Sequence, residues 1–261
     1  MRQFSADYLE ATRAGMWADS RAALEPLALA TRERILDVGA GTGELTGVLG
    51  EESRGEVVAC DADRGLLARA PGPAIQGEAT RLPVVENGAD LVVCQALLVN
   101  LPDSTAAIRE FARVSSDLVA AIEPDNSEVT LTSTVGREAT LARRARALYL
   151  DGVATDATLG SPTREFRDAG LSDLEVRRYD HVRTVEPPYG EHDLEAARRK
   201  ASGEGLAADR DQILAGEASV AEYEQLREDW RRMGRAVVSQ MEAGDYRQRE
   251  VVPFYVTVGR V

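Results

Sequence analysis

Apolar residues gather into short runs through the first half of the chain. Ile35-Leu36 with Val38, then 57–60, Ala74-Ile75, 91–94 and 118–122 each read as a strand. Between these runs the apolar positions open out to helical spacing, over 44–50, 62–70 and 103–115. The run at 89–95 is apolar enough to predict a strand buried on both faces. Strand and helix alternate, which predicts an α/β doubly wound fold: a parallel sheet, helices on both faces and right-handed crossovers.

The flanking segments are less regular. Two helices are predicted over 5–14 and 16–30, with Ser5 as a cap and Tyr8, Leu9, Thr12 and Trp17 on one apolar face; Pro26 marks a bend or an end. After the fifth strand, 128–134 reads as extended or loop, 136–150 as a helix whose Arg143, Arg144 and Arg146 either attract an acidic acceptor or, the favoured reading, form a solvated face paired with nearby acids, and 161–169 as another helix. Positions 174–185 alternate like a strand with one exposed face. Two helices over 193–216 and 219–243 and a last strand over 251–258 complete the reading.

Chemistry concentrates after the first strand, in RILDVGAGTGELT at 34–46. A strand, a glycine turn and a helix start present backbone N–H groups and a positive helix end to a ligand. Gly39 and Gly41 permit a sharp turn and close approach because neither carries a Cβ. Asp37 stands near the strand's carboxyl end, where open α/β sheets hold ligands.

Charge narrows the partners. The 261 residues include 44 acidic and 31 basic side chains, for a net charge of −13. A nucleic-acid surface is normally basic, so no nucleic-acid partner is expected. All the basic residues except Lys200 are arginine. Acid excess with few lysines resembles proteins of salt-loving organisms, whose surface charge keeps them soluble in brine; a GC-rich source explains the arginine bias equally. No apolar run approaches the roughly 20 residues of a membrane span, and the first residues lack the charged-then-apolar pattern of a leader. The expectation is therefore a cytoplasmic protein without membrane association. Cys60 and Cys94 lie in strand runs and read as buried free thiols.

Five segments in order carry a family resemblance: LDVGAGTGELT at 36–46, VVACDAD at 57–63, GEATRLP at 77–83, ADLVVCQALLVNLPD at 89–103 and EFRDAGLSDLEV at 165–176. The chain resembles a class I S-adenosylmethionine-dependent methyltransferase of the small-molecule, type 11-like kind. The resemblance implies a Rossmann-like sheet of seven strands, order 3-2-1-4-5-7-6, with the last strand antiparallel. It implies S-adenosyl-L-methionine as cofactor, S-adenosyl-L-homocysteine as product and a small-molecule methyl acceptor. The cofactor-binding residues it implies are Asp37, Gly39, Ala40, Gly41, Gly43, Asp61, Ala62, Glu78, Ala79 and Gln95, with Arg13 from the N-terminal helices. Asp61 would accept both ribose hydroxyls; its alternative is a helix-capping role, for which Asp63 is the better placed. Glu78 and the Ala79 N–H would meet the adenine, Ala62 and Leu82 its faces, and the Gln95 carbonyl the cofactor's amino group.

The same reading takes 1–261 as one methyltransferase domain, with a helical cap over 1–30, a cofactor core over 31–124 and insertions over 125–160 and 186–247. The insertions would form a lid that defines the acceptor pocket. Methyl transfer chiefly needs alignment and exclusion of water; a general base matters only for a protonated acceptor. The base candidates are Glu123, Asp125, His181 and Tyr189, with Asn100 to orient an acceptor, and Glu123 and Asp125 stand at the sheet's ligand edge. No spaced His/Cys/Asp cluster suggests a metal. A non-catalytic S-adenosylmethionine-binding protein is the alternative. An NAD(P)-dependent oxidoreductase fits less well: from Gly39 the sixth position is Glu44, not glycine. The chain is expected to act as a monomer or homodimer.

Overall fold

The computed structural model describes residues 16–18 and 20–261. The predicted helix over 5–14, with Tyr8 and Arg13, lies outside the described residues. In chain order the elements are β1 (Arg34–Val38), α1 (Glu44–Glu52), β2 (Glu56–Asp61), α2 (Arg64–Leu67), β3 (Ala74–Gln76), β4 (Ala89–Gln95), α3 (Ser104–Val114), β5 (Ser115–Pro124), β6 (Thr130–Ser133), α4 (Glu138–Gly152) and α5 (Thr163–Asp168). There follow β7 (Ser172–Val185), α6 (Glu191–Ser202), α7 (Glu204–Ala208), α8 (Arg210–Ala215), α9 (Val220–Glu242) and β8 (Gln248–Arg260). The sheet has eight strands in the order β3-β2-β1-β4-β5-β8-β6, and β7 also pairs with β8.

The chain divides into two compact units. Unit 1 holds the described residues up to Asp125, together with Thr158–Tyr179 and Pro253–Val261; unit 2 is Asn126–Ala157 and Asp180–Val252.

In unit 1, β1 to β5 run parallel. The final part of β8 runs antiparallel beside β5, from Leu118 opposite Arg260 to Pro124 opposite Phe254. The unbroken apolar runs explain the burial: Leu91 to Cys94 of β4 and Val119, Ala120 and Ile122 of β5 are sealed from solvent. Ile108, Phe111 and Val114 of α3 pack on them with Phe166 of α5. Helix starts follow local chemistry. Asp63 accepts from the Gly65 and Leu66 N–H groups, and Asp103 accepts from Ala106 N–H at 2.8 Å.

In unit 2, β6 lies antiparallel to the first part of β8, from Thr130 opposite Val251 to Ser133 opposite Gln248. Its core gathers Leu141, Ile213, Tyr223, Leu226, Val237 and Tyr246. Ser219 and Glu222 cap α9 reciprocally.

Four expectations are corrected. The predicted helix over 16–30 is instead a turn and two 3-10 segments, Arg21–Leu27 and Leu29–Thr31. Pro26 carries no N–H to continue an α-helix, and Ala28 between the segments is left-handed, φ 51°. The helix predicted over 193–216 is three, interrupted first at Gly203, whose φ of 74° ends α6. The 128–134 stretch contributes a strand, β6, beyond the seven expected. The predicted sixth and seventh strands are β7 and β8, so β6 adds to the expected order without disturbing it. Arg146 also departs from a solvated face: it is largely buried and donates to Glu250 at 3.1 Å, while Arg143 and Arg144 are exposed.

Candidate functional site

The 39–43 loop leaves the carboxyl end of β1 and is held against the carboxyl end of β2, which β3 flanks in unit 1. Gly39, Gly41 and Gly43 all have positive φ, at 72°, 59° and 88°. An L side chain at Gly43 would be strained there and would also sit 2.5 Å from Pro71 Cδ. The loop is tied down at two points. The Gly39 and Ala40 N–H groups donate to the Cys60 carbonyl, at 2.7 and 3.1 Å. Gly41 N–H donates to Asp61 Oδ2 at 2.8 Å.

Asp61 uses its other oxygen, Oδ1, to accept from Asp63 N–H at 2.8 Å. It does not cap α2; Asp63 does. A carboxylate has about four lone-pair sites, so two remain after these bonds. The Asp61 side chain is half-exposed at the end of β2. Asp37 behaves differently. It is 1% exposed and accepts from Thr46 Oγ1 at 2.6 Å, which fixes the first turns of α1 to the end of β1. That contact makes Asp37 a residue that sets the loop from below.

Glu78 is exposed beyond β3, and its carbonyl accepts from Arg81 N–H at 2.9 Å. Ala79 and Leu82 are buried, Ala62 is half-buried, and the Ala62 carbonyl accepts from Gln76 Nε2 at 2.9 Å. The acids act together on one thiol. Burial first, then the charges of Asp61, Asp37 and Glu78, push Cys60 up to about 12. Burial and the nearby Glu123 raise Cys94 as well. Both cysteines are free and buried, and they remain protonated thiols near neutral pH.

After β4 the backbone makes a second unusual turn. Ala96 is left-handed at φ 49°, which an alanine rarely adopts, and a 3-10 turn over Leu98–Asn100 follows. Asn100 Nδ2 donates to the Ala96 carbonyl at 2.9 Å. The side chain of Gln95 is taken from outside the turn: Trp17 Nε1 donates to its Oε1 at 3.3 Å, and its Nε2 lies 2.7 Å from Met16 Sδ.

Glu123, at the end of β5, is the acid that holds this turn. It is 0% exposed. Its Oε1 accepts from the Leu97 and Leu98 N–H groups at 3.0 and 2.9 Å, and its Oε2 accepts from Val99 N–H at 3.3 Å. Burial pushes it up to about 7, against the pull of those three amides. A carboxylate so enclosed is not presented to an acceptor, so the base role considered for Glu123 is replaced by one in the turn. Asn100 likewise spends its amide on the turn. Asp125 follows in unit 1, its N–H donating to the Pro253 carbonyl at 3.1 Å. His181 belongs to unit 2 and is buried there. Arg13 lies outside the described residues.

The site thus assembles the glycine loop, Asp37, Asp61, Ala62, Glu78, Ala79 and Gln95 along one edge of unit 1. Sequence reasoning missed Thr46, Leu97 and the Met16–Trp17 pair. Thr46 and Leu97 lie inside the quoted motif segments, but their contacts with Asp37 and Gly39 are set by the fold, and the Met16–Trp17 pair reaches Gln95 from almost 80 residues away.

Comparison with known proteins follows the same stretch. Residues 36–117 match the model of a family described as a methyltransferase domain. A demethylmenaquinone methyltransferase of Beutenbergia cavernae is 36% identical over 100 residues, covering 36% of this chain and 41% of the relative. The enzyme of the same name from Mycolicibacterium vanbaalenii is 38% identical over 98 residues, covering 36% and 42%. The chain therefore aligns with about two fifths of the length of these relatives. Among solved structures, the YcgJ protein of Bacillus subtilis aligns with a TM-score of 0.54 at 16% identity, covering 92% of this chain and 98% of that one. A provisionally assigned methyltransferase of Bacillus halodurans C-125 aligns with a TM-score of 0.54 at 15% identity, covering 93% and 98%.

Proposed function

We propose that the chain moves a methyl group from S-adenosylmethionine to oxygen, nitrogen or carbon of a small molecule, a reading supported by its sheet order, its fold-level likeness to solved structures and the match of residues 36–117 to a methyltransferase-domain family. The observation that carries this reading is the bond between Gly41 N–H and Asp61. It aligns a glycine loop and a half-exposed carboxylate at adjacent strand ends, with acceptor sites on Asp61 still open to a ribose diol.

The donor set fits the cofactor's charge. S-adenosylmethionine has a cationic sulfonium and ammonium, and the half-exposed Asp61 and exposed Glu78 would offer it carboxylates, with the buried Asp37 adding its charge from behind the loop. When bound, the cofactor supplies a methyl already activated by the sulfonium. The chain's own residues then have to bind, orient and exclude water. Asp61 would orient the ribose. Gly39 and Gly41 would let the main chain approach the methionyl part. Asp37 keeps α1 in place through Thr46, and the buried Ala79 and Leu82 would exclude water beside the adenine. Neither cysteine is available as a thiolate.

Residues 125–160 and 186–247 are proposed to select the acceptor. The relatives align with little more than a third of this chain, so the demethylmenaquinone of their name comes over only as one compound to include in a screen. No helix among the described residues is long and apolar enough to cross a membrane.

The test is calorimetric titration with S-adenosylhomocysteine, at low and molar potassium chloride, with NAD and NADP as controls. Micromolar binding of S-adenosylhomocysteine alone supports the reading, and methyl transfer to any acceptor in a screen completes it. Binding without turnover across a wide panel would favour a non-catalytic binding protein. Binding of NAD instead would overturn the reading.

A further inference from the structure

Glu123 has a geometry that its burial alone does not require. A buried acid can be satisfied by one or two donors, but here three consecutive amides, those of Leu97, Leu98 and Val99, converge on its two oxygens. The segment they belong to begins at the left-handed Ala96, a conformation that persists only where its surroundings impose it. The turn then reaches the glycine loop. A Cβ added at Gly39 would lie 2.8 Å from Leu97 Cδ1 and 3.0 Å from Cδ2. The Leu97 side chain therefore rests directly on the backbone of Gly39.

We propose that Glu123 is a positioning residue: its carboxylate sets the 96–100 turn and, through Leu97 lying on Gly39, holds the glycine loop in the form that takes the cofactor. The inference rests on the proposed cofactor for its functional half and on the hydrogen bonds alone for its structural half. Glutamate suits the task because two oxygens can accept from three amides at once, whereas a neutral side chain of the same shape offers one acceptor. The bonds are charge-assisted and so weaken when the acid takes a proton. Glu123 gives up its charge at about 7. From β4 the facing titratable group is Cys94, whose Sγ donates at 3.7 Å. Asp37 of β1 acts electrostatically on that same thiol. From the turn itself only backbone amides face it.

The experiment compares wild type, Glu123→Gln and Leu97→Ala by two readouts. The first is amide hydrogen exchange of the ligand-free proteins at pH 8. The glutamine keeps an acceptor for Leu97 and Leu98 but turns an NH2 toward Val99 N–H. Protection at 97–99 is expected to fall at least about tenfold in Glu123→Gln, with increased exchange at 39–41, while β4 and β5 stay protected. The second is S-adenosylhomocysteine affinity from pH 5.5 to 8.5. Wild type should bind about tenfold more weakly at the acid end, whereas Glu123→Gln and Leu97→Ala should both bind weakly with flattened profiles, the second because the link from the turn to the loop is cut.

Unchanged protection at 97–99 in a folded Glu123→Gln would overturn the structural half. Wild-type affinity in Leu97→Ala would overturn the link to the loop, and that variant decides the matter should Glu123→Gln not fold. If wild type fails to bind S-adenosylhomocysteine at any pH, the cofactor reading fails, and the exchange result still decides whether Glu123 sets the turn and the loop.

Discussion

Gly41 and Asp61 stand 20 residues apart in sequence, and the backbone N–H of the first donates to the carboxylate of the second at 2.8 Å. The bond closes the glycine loop over the end of β2. It means that Asp61 has two duties, one toward the loop and one, as proposed, toward a ribose.

Asp61→Ala removes both. Cofactor binding should weaken by about 1.5–3 kcal/mol, the range for losing charged hydrogen bonds. Asp61→Asn retains one acceptor and should fall between. Calorimetric titration with S-adenosylhomocysteine checks it, alongside circular dichroism to establish folding. Equal affinity in a folded Asp61→Ala would remove Asp61 from the ribose.

Gly234 of α9 tests the helix contact inside unit 2. A Cβ there would lie 2.3 Å from Ala201 N and 2.3 Å from the Lys200 carbonyl carbon, both backbone atoms of α6. Backbone cannot swing aside as a side chain can. Gly234→Ala should therefore destabilise by about 1–3 kcal/mol, at the upper end for overpacking, although alanine is the better helix former. Urea unfolding measures it. A stabilised variant would show that α6 and α9 can separate without loss.

How much of this was legible beforehand depended on how local each cause is. The strands of unit 1 follow from unbroken apolar runs, and the caps at Asp63 and Asp103 follow from acids placed immediately before helical segments. The glycine loop announced itself through three glycines in five residues, each now found at positive φ. The break at Gly203 was missed because 193–216 keeps a helical pattern on both sides of it. The apolar spacing of 16–30 predicts a helix, and Pro26 within it is what the spacing does not register. The strand-end position of Glu123 is visible in sequence and suggests a base, whereas its enclosure by 97–99 is set by residues some 25 positions away. The Lys200 cluster had no motif at all.

That cluster supports a third prediction. Lys200 Nζ donates to Glu138 Oε1 at 2.5 Å, to Gln248 Oε1 at 2.8 Å and to Tyr246 Oη at 3.3 Å. All three ammonium protons are thus used. Tyr246 Oη and Ser133 Oγ also donate to Glu138, which is 1% exposed. Burial, then the Glu138 charge, push the Tyr246 phenol up, so it stays a donor. In a chain whose other basic residues are all arginine, this position takes the compact cation with three radiating donors. Lys200→Met would leave Glu138 charged and short of its cation, and should cost about 2–4 kcal/mol of stability. Lys200→Arg should also destabilise, because a planar fork cannot reach the same three partners. Equal urea midpoints for wild type and Lys200→Arg would show that the geometry is not specific to lysine.

The last prediction concerns pH. Glu123 is raised from 4.5 to about 7 in the folded protein, chiefly by burial. The folded state therefore holds a proton that the unfolded chain releases near the ordinary value. Its stabilising contribution is complete below about 4.5, declines as pH rises, and is lost above about 7. The gap of about 2.5 units corresponds to on the order of 3 kcal/mol. Other acids run the opposite way. Asp117 is lowered by Arg32 and then Arg260, and Glu110 by Arg113, so each adds stability above its unfolded value and loses it in acid. Wild type alone would show only the sum. The difference between wild type and Glu123→Gln isolates the one acid, since glutamine does not titrate. Between pH 4.5 and 7.5, wild type should lose about 3 kcal/mol relative to the variant, read from urea unfolding at each pH. A difference that stays constant across that window would mean that Glu123 ionises in the folded protein as it does in the unfolded chain, and that the three amides fully offset its burial.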